Sequence, residues 1–341
     1  MKNMFTLKSL FKRFLKRKQV RQSPLEEINT MITSIKYHSP DSGSLILMLA
    51  VSLVFFYLAQ IGYIPFSGQR PSATSVNTPA SGIDKNLEAV VFPTKGITVA
   101  ARWGDAIGKL VDAGVIDQDK FTATMEQDGT ALTIEELAIL GGDDGIKNRQ
   151  LVFTAANSRF MVDALWALGL AQESKVLLEG PMKGTDTASL ASTGGWTLGK
   201  KDAMSYYGKF NLLNLNDADQ ERVLQITSQI YRPCCGNSTA FPDCNHGMAM
   251  LGLVELMISQ EASDNQIFEA AKAANAFWFP DSTLELAAYF QTIKNISWQK
   301  VSPVTAVSAE YASSQGAQKI NQALQEQGTL PQARGGGSCG A

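Results

Sequence analysis

The stretch Phe160-Met-Val-Asp-Ala-Leu-Trp-Ala-Leu-Gly-Leu170 is almost wholly apolar and long enough for three helical turns. A helix that is apolar on every side is buried in a protein core. This stretch therefore predicts the central helix of a helical domain. Alternating strand patterns are scarce elsewhere, and the best short candidates are residues 89–92 and 150–154. The predicted fold class is mainly α, with the globular part an irregular multi-helix domain.

Further segments on both sides of the central one have the apolar spacing or the capping residues of helices. They are 102–113, a segment opened by the capping box Thr133-Ile-Glu-Glu136, 217–231 after Asn216, 243–259 with Asp243 as N-cap, 265–279, and 282–294 with the capping box Ser282-Thr-Leu-Glu285. Residues 180–201, by contrast, form a long stretch rich in Gly, Ser and Thr. A loop of this length predicts a lid or a binding loop, and the alternative is a mobile loop at the protein surface.

Residues Leu45 to Ile64 contain no charged side chain. A helix of about 20 apolar residues spans the hydrocarbon core of a bilayer, so the fold class includes a single transmembrane helix at 44–64. A cleaved signal peptide is the alternative. Residues 1–43 carry nine Lys and Arg against three acidic residues. The positive-inside rule then predicts a single-pass protein of the cell membrane, held by a signal-anchor, with a cytoplasmic N-terminus and an extracytoplasmic domain.

Apolar residues within 4–21 recur at helical spacing among basic ones. This pattern predicts an amphipathic helix on the anionic cytoplasmic leaflet, and a plain cluster of orienting charges or a transit peptide are the alternatives. The part beyond the predicted span has more acidic than basic residues, which argues against nucleic acid as a partner. The predicted domains are a basic segment at 1–43, the span at 44–64, a flexible linker at 65–88, a helical extracytoplasmic domain at 89–313, and a C-terminal helix with a Gly-rich Cys tail at 314–341.

Three of the four cysteines and one of the two histidines lie within thirteen residues: Cys234, Cys235, Cys244 and His246. Thiolate and imidazole bind soft and borderline metals, and thiols also carry redox chemistry. Four cysteines are too few for a disulfide scaffold in a domain of this size. The cluster therefore predicts a chemical site.

Local structure around the cluster supports that interpretation. Pro233 is predicted to end one helix, and Cys244 and His246 fall in the first turn of the next. The N–H groups and dipole of a first turn stabilise a thiolate, so Cys244 is predicted to be more acidic than a free thiol.

Three more residues are candidates for the same site. Met248 and Met250 follow Cys244 and His246 at a spacing of four, and thioether sulfur would complete a ligand set that suits copper(I). Core packing is the commoner role of such methionines. Cys339, on the Gly-rich tail, is a candidate fourth ligand or delivery arm, unless the tail is simply a disordered terminus.

The stretch Pro233-Cys-Cys-Gly236, followed by Asp243 and Cys244, resembles the exported, membrane-attached PCYCGC-motif proteins of bacteria. The resemblance covers about fifteen residues. This chain lacks the spacer between the first two cysteines of that motif and the cysteine after its glycine. The resemblance implies an exported location and a thiol site, without implying a reaction.

Three functions follow from these residues. The first is capture or delivery of copper or zinc by Cys234, Cys235, Cys244 and His246, with a metal donor or acceptor protein as partner. The second is a thiol–disulfide oxidoreductase, in which Cys244 attacks, Cys234 or Cys235 resolves, and the partner is a thiol protein. The third is a structural protein whose cysteines staple a loop. The sequence leaves open whether the protein is an enzyme.

Overall fold

Fourteen α-helices and two short strands follow one another in residues 83–330, the part of the chain that the computed structural model describes. The strands are β1 (Ile97–Arg102) and β2 (Gln150–Phe153). The α-helices are α1 (Lys85–Val91), α2 (Ala106–Asp112), α3 (Gln118–Gln127), α4 (Ile134–Leu140), α5 (Asp144–Lys147), α6 (Ser158–Ala171), α7 (Lys175–Leu178), α8 (Asp217–Thr227), α9 (Asn245–Ile258), α10 (Asp264–Trp278), α11 (Pro280–Thr292), α12 (Pro303–Ala306), α13 (Ala309–Ala312) and α14 (Ser314–Glu326). Short 3₁₀ helices lie at Thr187–Ser189, Ala203–Ser205 and Trp298–Lys300.

Helices α6 and α9 form the centre of the fold. Each has fourteen residues, of which twelve are buried. They cross at Gly169 and Gly252, where a Cβ on either glycine would clash with the backbone of the other helix. Helix backbones approach this closely only where no side chain separates them. The crossing confirms the prediction that the apolar stretch at 160–170 is the central helix.

The remaining elements cover this pair. Helix α10 packs against α9, α6 and the two strands, which pair antiparallel with Ile97 opposite Phe153. A second hydrophobic cluster packs α11 against α1 and α14 around Leu284, Phe290 and Leu324. Residues 180–201 pack on the domain rather than extend from it, because Trp196 is buried and its Nε1–H donates to the Val115 carbonyl at 3.0 Å.

Two sequence predictions about strands had different outcomes. Residues 150–154 were predicted as a strand, and β2 confirms this. Residues 89–92 were predicted as a strand, but 89–91 belong to α1, where the carboxylate of Asp84 accepts from the Asn86 N–H and caps the helix. A four-residue apolar run fits either a helix or a strand, and here the Asp84 cap stabilises the helix.

Helix starts were predicted well where a side chain caps the first turn. The capping box predicted at Thr133 is formed, and Asn216 is the N-cap of α8, as predicted. The box predicted at Ser282 was wrong, because α11 begins two residues earlier at Pro280. Proline lacks an N–H and has the φ angle of a helix, so it is well suited to a first turn.

The predicted fold class requires a correction. It placed a transmembrane helix ahead of the helical domain, but in residues 83–330 no helix is long and apolar enough to cross a membrane. The longest described helix, α10, has fifteen residues, whereas a span needs about 20. The segments 4–21 and 44–64, on which the leaflet and span predictions were made, lie outside the described residues, as does Cys339. The described architecture is a mainly helical domain with one two-stranded sheet.

Candidate metal and thiol site

The loop between α8 and α9 carries the cysteine pair. Helix α8 ends at Thr227, six residues before the proline that was predicted to end it. The loop closes through an isolated antiparallel bridge between Tyr231 and Ser238. It is held from outside by two backbone hydrogen bonds, from the Tyr231 N–H to the Val307 carbonyl and from the Ser314 N–H to the Cys235 carbonyl. These contacts fix the loop against the segment that leads into α14.

The sulfur atoms of Cys234, Cys235 and Cys244 form a small triangle. The Sγ atoms of Cys234 and Cys235 are 3.2 Å apart, those of Cys235 and Cys244 3.5 Å, and those of Cys234 and Cys244 3.8 Å. All three residues are free thiols or thiolates, with no disulfide among them. Tetrahedral zinc with Zn–S bonds of ~2.3 Å would separate its sulfurs by about 3.8 Å. The three cysteines are therefore close enough to bind one metal ion or to act together in thiol chemistry.

Arg232 is buried beside this triangle, with 1% of its surface exposed. Its Nε–H donates to the Sγ of Cys244 at 3.1 Å, and its Nη2 donates to a carboxylate oxygen of Asp243 at 2.7 Å. Nη1 donates to the Asn237 carbonyl and Nη2 donates also to the Phe241 carbonyl, each at 3.3 Å. A buried cation needs compensating negative charge. The Asp243 carboxylate and a Cys244 thiolate supply it.

Cys244 is also the N-cap of α9. Its Sγ accepts from the Gly247 N–H at 3.4 Å, so the sulfur lies at the positive end of the helix dipole. Asp243 was predicted to be the cap, and this was wrong by one residue. Its carboxylate instead pairs with Arg232 and accepts from the Asn237 side-chain amide at 2.8 Å. The Cys244 sulfur, rather than the Asp243 carboxylate, therefore lies at the N-terminus of α9.

These contacts set the protonation of the triangle. Hydrogen bonds from the thiols of Cys234 and Cys235, together with Arg232, hold the pKa of Cys244 well below its ordinary value, although burial raises it. Donating hydrogen bonds to Cys235 and Cys244 raises the pKa of the Cys234 thiol. The bond from Cys234 lowers the pKa of Cys235, but its own bond to Cys244 and its burial outweigh this and raise it overall. These contacts thus favour a thiolate at Cys244 and protonated thiols at Cys234 and Cys235.

The pKa of Arg232 is consistent with this charge distribution. Burial lowers the pKa of Arg232, but the negative charge of Cys244 and the hydrogen bond to its sulfur outweigh burial and raise the pKa above its ordinary value. The guanidinium and the thiolate therefore stabilise each other. A basic neighbour is the usual reason for an acidic protein thiol.

His246 lies on the first turn of α9, but its imidazole faces aromatic rings. Its ring centroid is 4.6 Å from that of Phe279 and 5.8 Å from that of Trp278. The group of side chains whose ligand atoms lie within 4.8 Å of one another consists of the three cysteines, without His246. Burial lowers the pKa of His246 to about 4, so the ring is neutral at pH 7. Its role as a ligand stays a prediction.

The two methionines predicted as optional ligands, Met248 and Met250, are fully buried in the main hydrophobic core. This is the environment in which methionine usually serves to fill space between helices. Arg232, on the other hand, was not predicted as part of the site. The signal was present in the sequence, because an arginine two residues before a cysteine pair places a cation near thiols.

Comparisons of the chain with protein-family models, with curated proteins and with solved structures found no match. The function is therefore inferred from the chemistry of the site itself.

Proposed function

We propose that this protein binds a soft metal ion, copper(I) foremost, through Cys234, Cys235 and Cys244. The observation that carries the proposal is the sulfur triangle, with edges of 3.2, 3.5 and 3.8 Å. Soft thiolate ligands select copper(I) over hard cations, and copper(I) is satisfied by three sulfur donors. Such a site would serve to capture the ion or hand it on.

Zinc is the second choice for the same triangle. Structural zinc sites have four protein ligands, usually cysteine and histidine. Within residues 83–330 the converging group has three members, and the imidazole of His246 packs on Phe279 and Trp278 instead. A zinc site would therefore need a further donor, for which Cys339 is the candidate from the sequence.

Arg232 favours a metal site with a net negative charge. Three thiolates around a monovalent ion leave a net negative charge, which is costly in a partly buried position. The guanidinium already touches Cys244 at 3.1 Å and offsets part of that charge. With the hydrogen bonds from Cys234 and Cys235, it also lowers the pKa of Cys244, which favours the deprotonated form that binds a metal.

The test is a copper(I) titration of the full-length protein under anaerobic conditions, against a coloured copper(I) chelator, with elemental analysis of the product. We expect one copper per chain, and loss of that copper in Cys244→Ser. Glu135→Gln is the control, because it changes an exposed side chain that is not part of the converging cysteine group. Wild-type protein that takes no copper from the chelator would overturn the proposal.

A second function, thiol–disulfide exchange, is favoured by one observation: the Cys244 thiolate lies 3.5 Å from the Cys235 sulfur. The Cys244 thiolate would attack a substrate disulfide, break its S–S bond and release one substrate thiolate. Cys235, after losing its proton to solvent, would then attack Cys244 in the mixed disulfide and release the second substrate thiolate. The protein would be left with a Cys235–Cys244 disulfide and the substrate reduced by two electrons.

The two functions separate in one experiment. Metal-free, reduced protein is mixed with oxidised glutathione, and the reduced glutathione released is measured along with the cysteines that become linked. Rapid release with a Cys235–Cys244 disulfide supports exchange. Slow release, no faster than from an unfolded control, leaves metal binding as the function.

A further inference from the structure

We infer that Cys234 is the ligand through which the metal enters and leaves the site, by exchange with a thiol of a partner molecule. The inference rests on the proposed metal-binding function and concerns the order in which the three cysteine ligands exchange. The partner chemistry is a free thiol, either that of a small molecule or that of a cysteine in a donor or acceptor protein.

The three cysteines differ in their exposure to solvent. Cys234 is solvent-exposed, whereas Cys235 and Cys244 are partly buried. A ligand-exchange reaction begins when an incoming sulfur reaches the metal, and it reaches the exposed side first. Cys234 is therefore the ligand that an incoming thiol can replace without displacing other groups of the protein.

The three cysteines also differ in how firmly hydrogen bonds hold them. The Cys244 sulfur is bonded by Arg232 at 3.1 Å and by the Gly247 N–H at 3.4 Å. Cys235 is held at its backbone, where its N–H donates to the Arg232 carbonyl at 3.2 Å and its carbonyl accepts from Ser314 at 2.9 Å. Cys234 is different, because within residues 83–330 its backbone makes no hydrogen bond.

The buried Arg232 side chain also distinguishes Cys244 from Cys234. Release of the metal from Cys244 would require an incoming sulfur to reach the side of the site where the guanidinium pairs with Asp243 and contacts Cys244 at 3.1 Å. Release from Cys234 leaves that ion pair in place. The contacts therefore order the ligands, with Cys244 the most firmly held and Cys234 the least.

The exchange step conserves atoms and electrons. The sulfur of the partner thiol bonds to the metal, the bond from the metal to the Cys234 sulfur breaks, and the proton lost by the partner thiol is taken up by Cys234. The metal keeps its oxidation state and remains bound to Cys235 and Cys244. A second partner thiol can then complete the transfer.

Chemical rescue tests this order. Three full-length variants, Cys234→Ala, Cys235→Ala and Cys244→Ala, are mixed anaerobically with one equivalent of copper(I) and an excess of glutathione, and native mass spectrometry measures the complexes. We expect Cys234→Ala to form a protein–copper–glutathione complex at least tenfold more abundant than either other variant forms. Of the three ligand positions, that of Cys234 is the most open to an external sulfur.

A parallel arm replaces glutathione with a peptide that has a single cysteine. A complex formed with both thiols indicates an exchange open to protein partners, whereas a complex with glutathione alone restricts the partner to small thiols. Equal complexes in the three variants, or a larger one in Cys244→Ala, would overturn the inference. Wild-type protein that binds no copper would instead refute the proposed function, so the two failures are distinct.

A measurement on wild-type protein covers the case of a variant that does not fold. Copper-loaded protein is treated with iodoacetamide, and peptide mapping follows which cysteine is alkylated first. We expect Cys234 to be labelled at least tenfold faster than Cys235 or Cys244, because a ligand that leaves the metal transiently becomes available. Initial labelling of Cys244 would contradict the inferred order.

Discussion

The Nε–H of Arg232 donates to the sulfur of Cys244 across 3.1 Å, and this contact joins the loop that carries the cysteine pair to the start of helix α9. A cation at a helix N-terminus is ordinarily unfavourable, because the dipole is positive there. Here the Cys244 thiolate and the Asp243 carboxylate both contact the guanidinium and offset its charge. The arginine therefore depends on the same thiolate that would bind the metal.

Replacement of Arg232 by lysine should make Cys244 a weaker acid and destabilise the fold. Lysine keeps the charge but cannot make all four of the side-chain contacts that the guanidinium makes. We expect a loss of about 2–4 kcal/mol in the free energy of unfolding, measured with urea. The Cys244 thiolate, followed by its ultraviolet absorbance against pH, should titrate at higher pH than in wild type.

Arg222→Lys is the matched control for this change. Arg222 pairs with Asp264 at 2.6 Å at the surface, with 31% of its side chain exposed. A surface ion pair contributes up to ~1 kcal/mol, so this variant should lose little stability and leave the thiol titration unchanged. An equal effect of the two substitutions would show that Arg232 has no special relation to Cys244.

Substitution of Gly247 by alanine should disturb the site through Arg232. A Cβ at this position would lie 2.6 Å from the Cζ of Arg232, and the guanidinium is buried and cannot swing away freely. We expect a loss of about 1–3 kcal/mol from overpacking and faster reaction of the Cys244 thiol with a chromogenic disulfide. Differential scanning calorimetry and stopped-flow absorbance measure the two effects.

Gly108→Ala serves for comparison, since Gly108 is also helical but a Cβ there meets nothing within 4 Å. That variant should gain roughly 0.5–1 kcal/mol, because alanine favours the helix. Equal free energies of unfolding for Gly247→Ala and Gly108→Ala would contradict the close contact between Gly247 and Arg232.

Sequence patterns predicted the parts of the fold that local interactions decide. The apolar run at 160–170 fixes a buried helix wherever it packs, and the Thr133 box stabilises a helix start by itself. The start of α11 was missed because two signals compete there, a proline at 280 and a serine at 282, and local reasoning gave weight to the second. The 89–92 segment was missed because four residues are too few to show a period.

The candidate site also combines features that the local sequence decides with features that depend on distant residues. Convergence of Cys234, Cys235 and Cys244 could be predicted, since one short loop separates the pair from the third cysteine. The orientation of His246 could not, because its ring packs on Trp278 and Phe279 at the far end of α10. Contacts between residues so distant in sequence leave no local pattern.

His246→Ala should leave copper binding intact. The imidazole lies outside the converging cysteine group, so its removal takes no sulfur ligand away. We expect copper stoichiometry to stay at the wild-type value, while stability falls by about 0.5–1.5 kcal/mol per lost aromatic contact. Elemental analysis checks the first outcome and thermal unfolding the second. Loss of copper from this variant would restore His246 as a ligand.

The titration of Glu255, considered alone, should make the free energy of unfolding larger at low pH than at neutral pH. It is fully buried on α9, and neither carboxylate oxygen has a hydrogen-bond partner within residues 83–330. Burial raises the pKa of Glu255 well above its ordinary value. Above the unfolded-state pKa, the folded protein keeps a proton that the unfolded chain loses. The free energy of unfolding therefore falls as pH rises, by up to about 1.4 kcal/mol per pH unit.

Glu255→Gln removes this titration while keeping the size of the side chain. We expect its unfolding free energy, measured with urea from about pH 5 to pH 7, to fall less steeply than that of wild type. Glu135→Gln, at a position where 62% of the side chain is exposed, should leave the wild-type slope unchanged. Parallel curves for wild type and Glu255→Gln would contradict the assigned protonation.

The bond from the Gly247 amide to the Cys244 sulfur makes that amide a natural reporter. Any reagent that consumes the lone pairs of this sulfur, whether a metal, an alkyl group or an oxidant, competes with the first turn of α9 for the same atom. Occupancy of the site can thus be followed at a single backbone nucleus, through its chemical shift and its rate of deuterium uptake, without a chromophore or an activity assay.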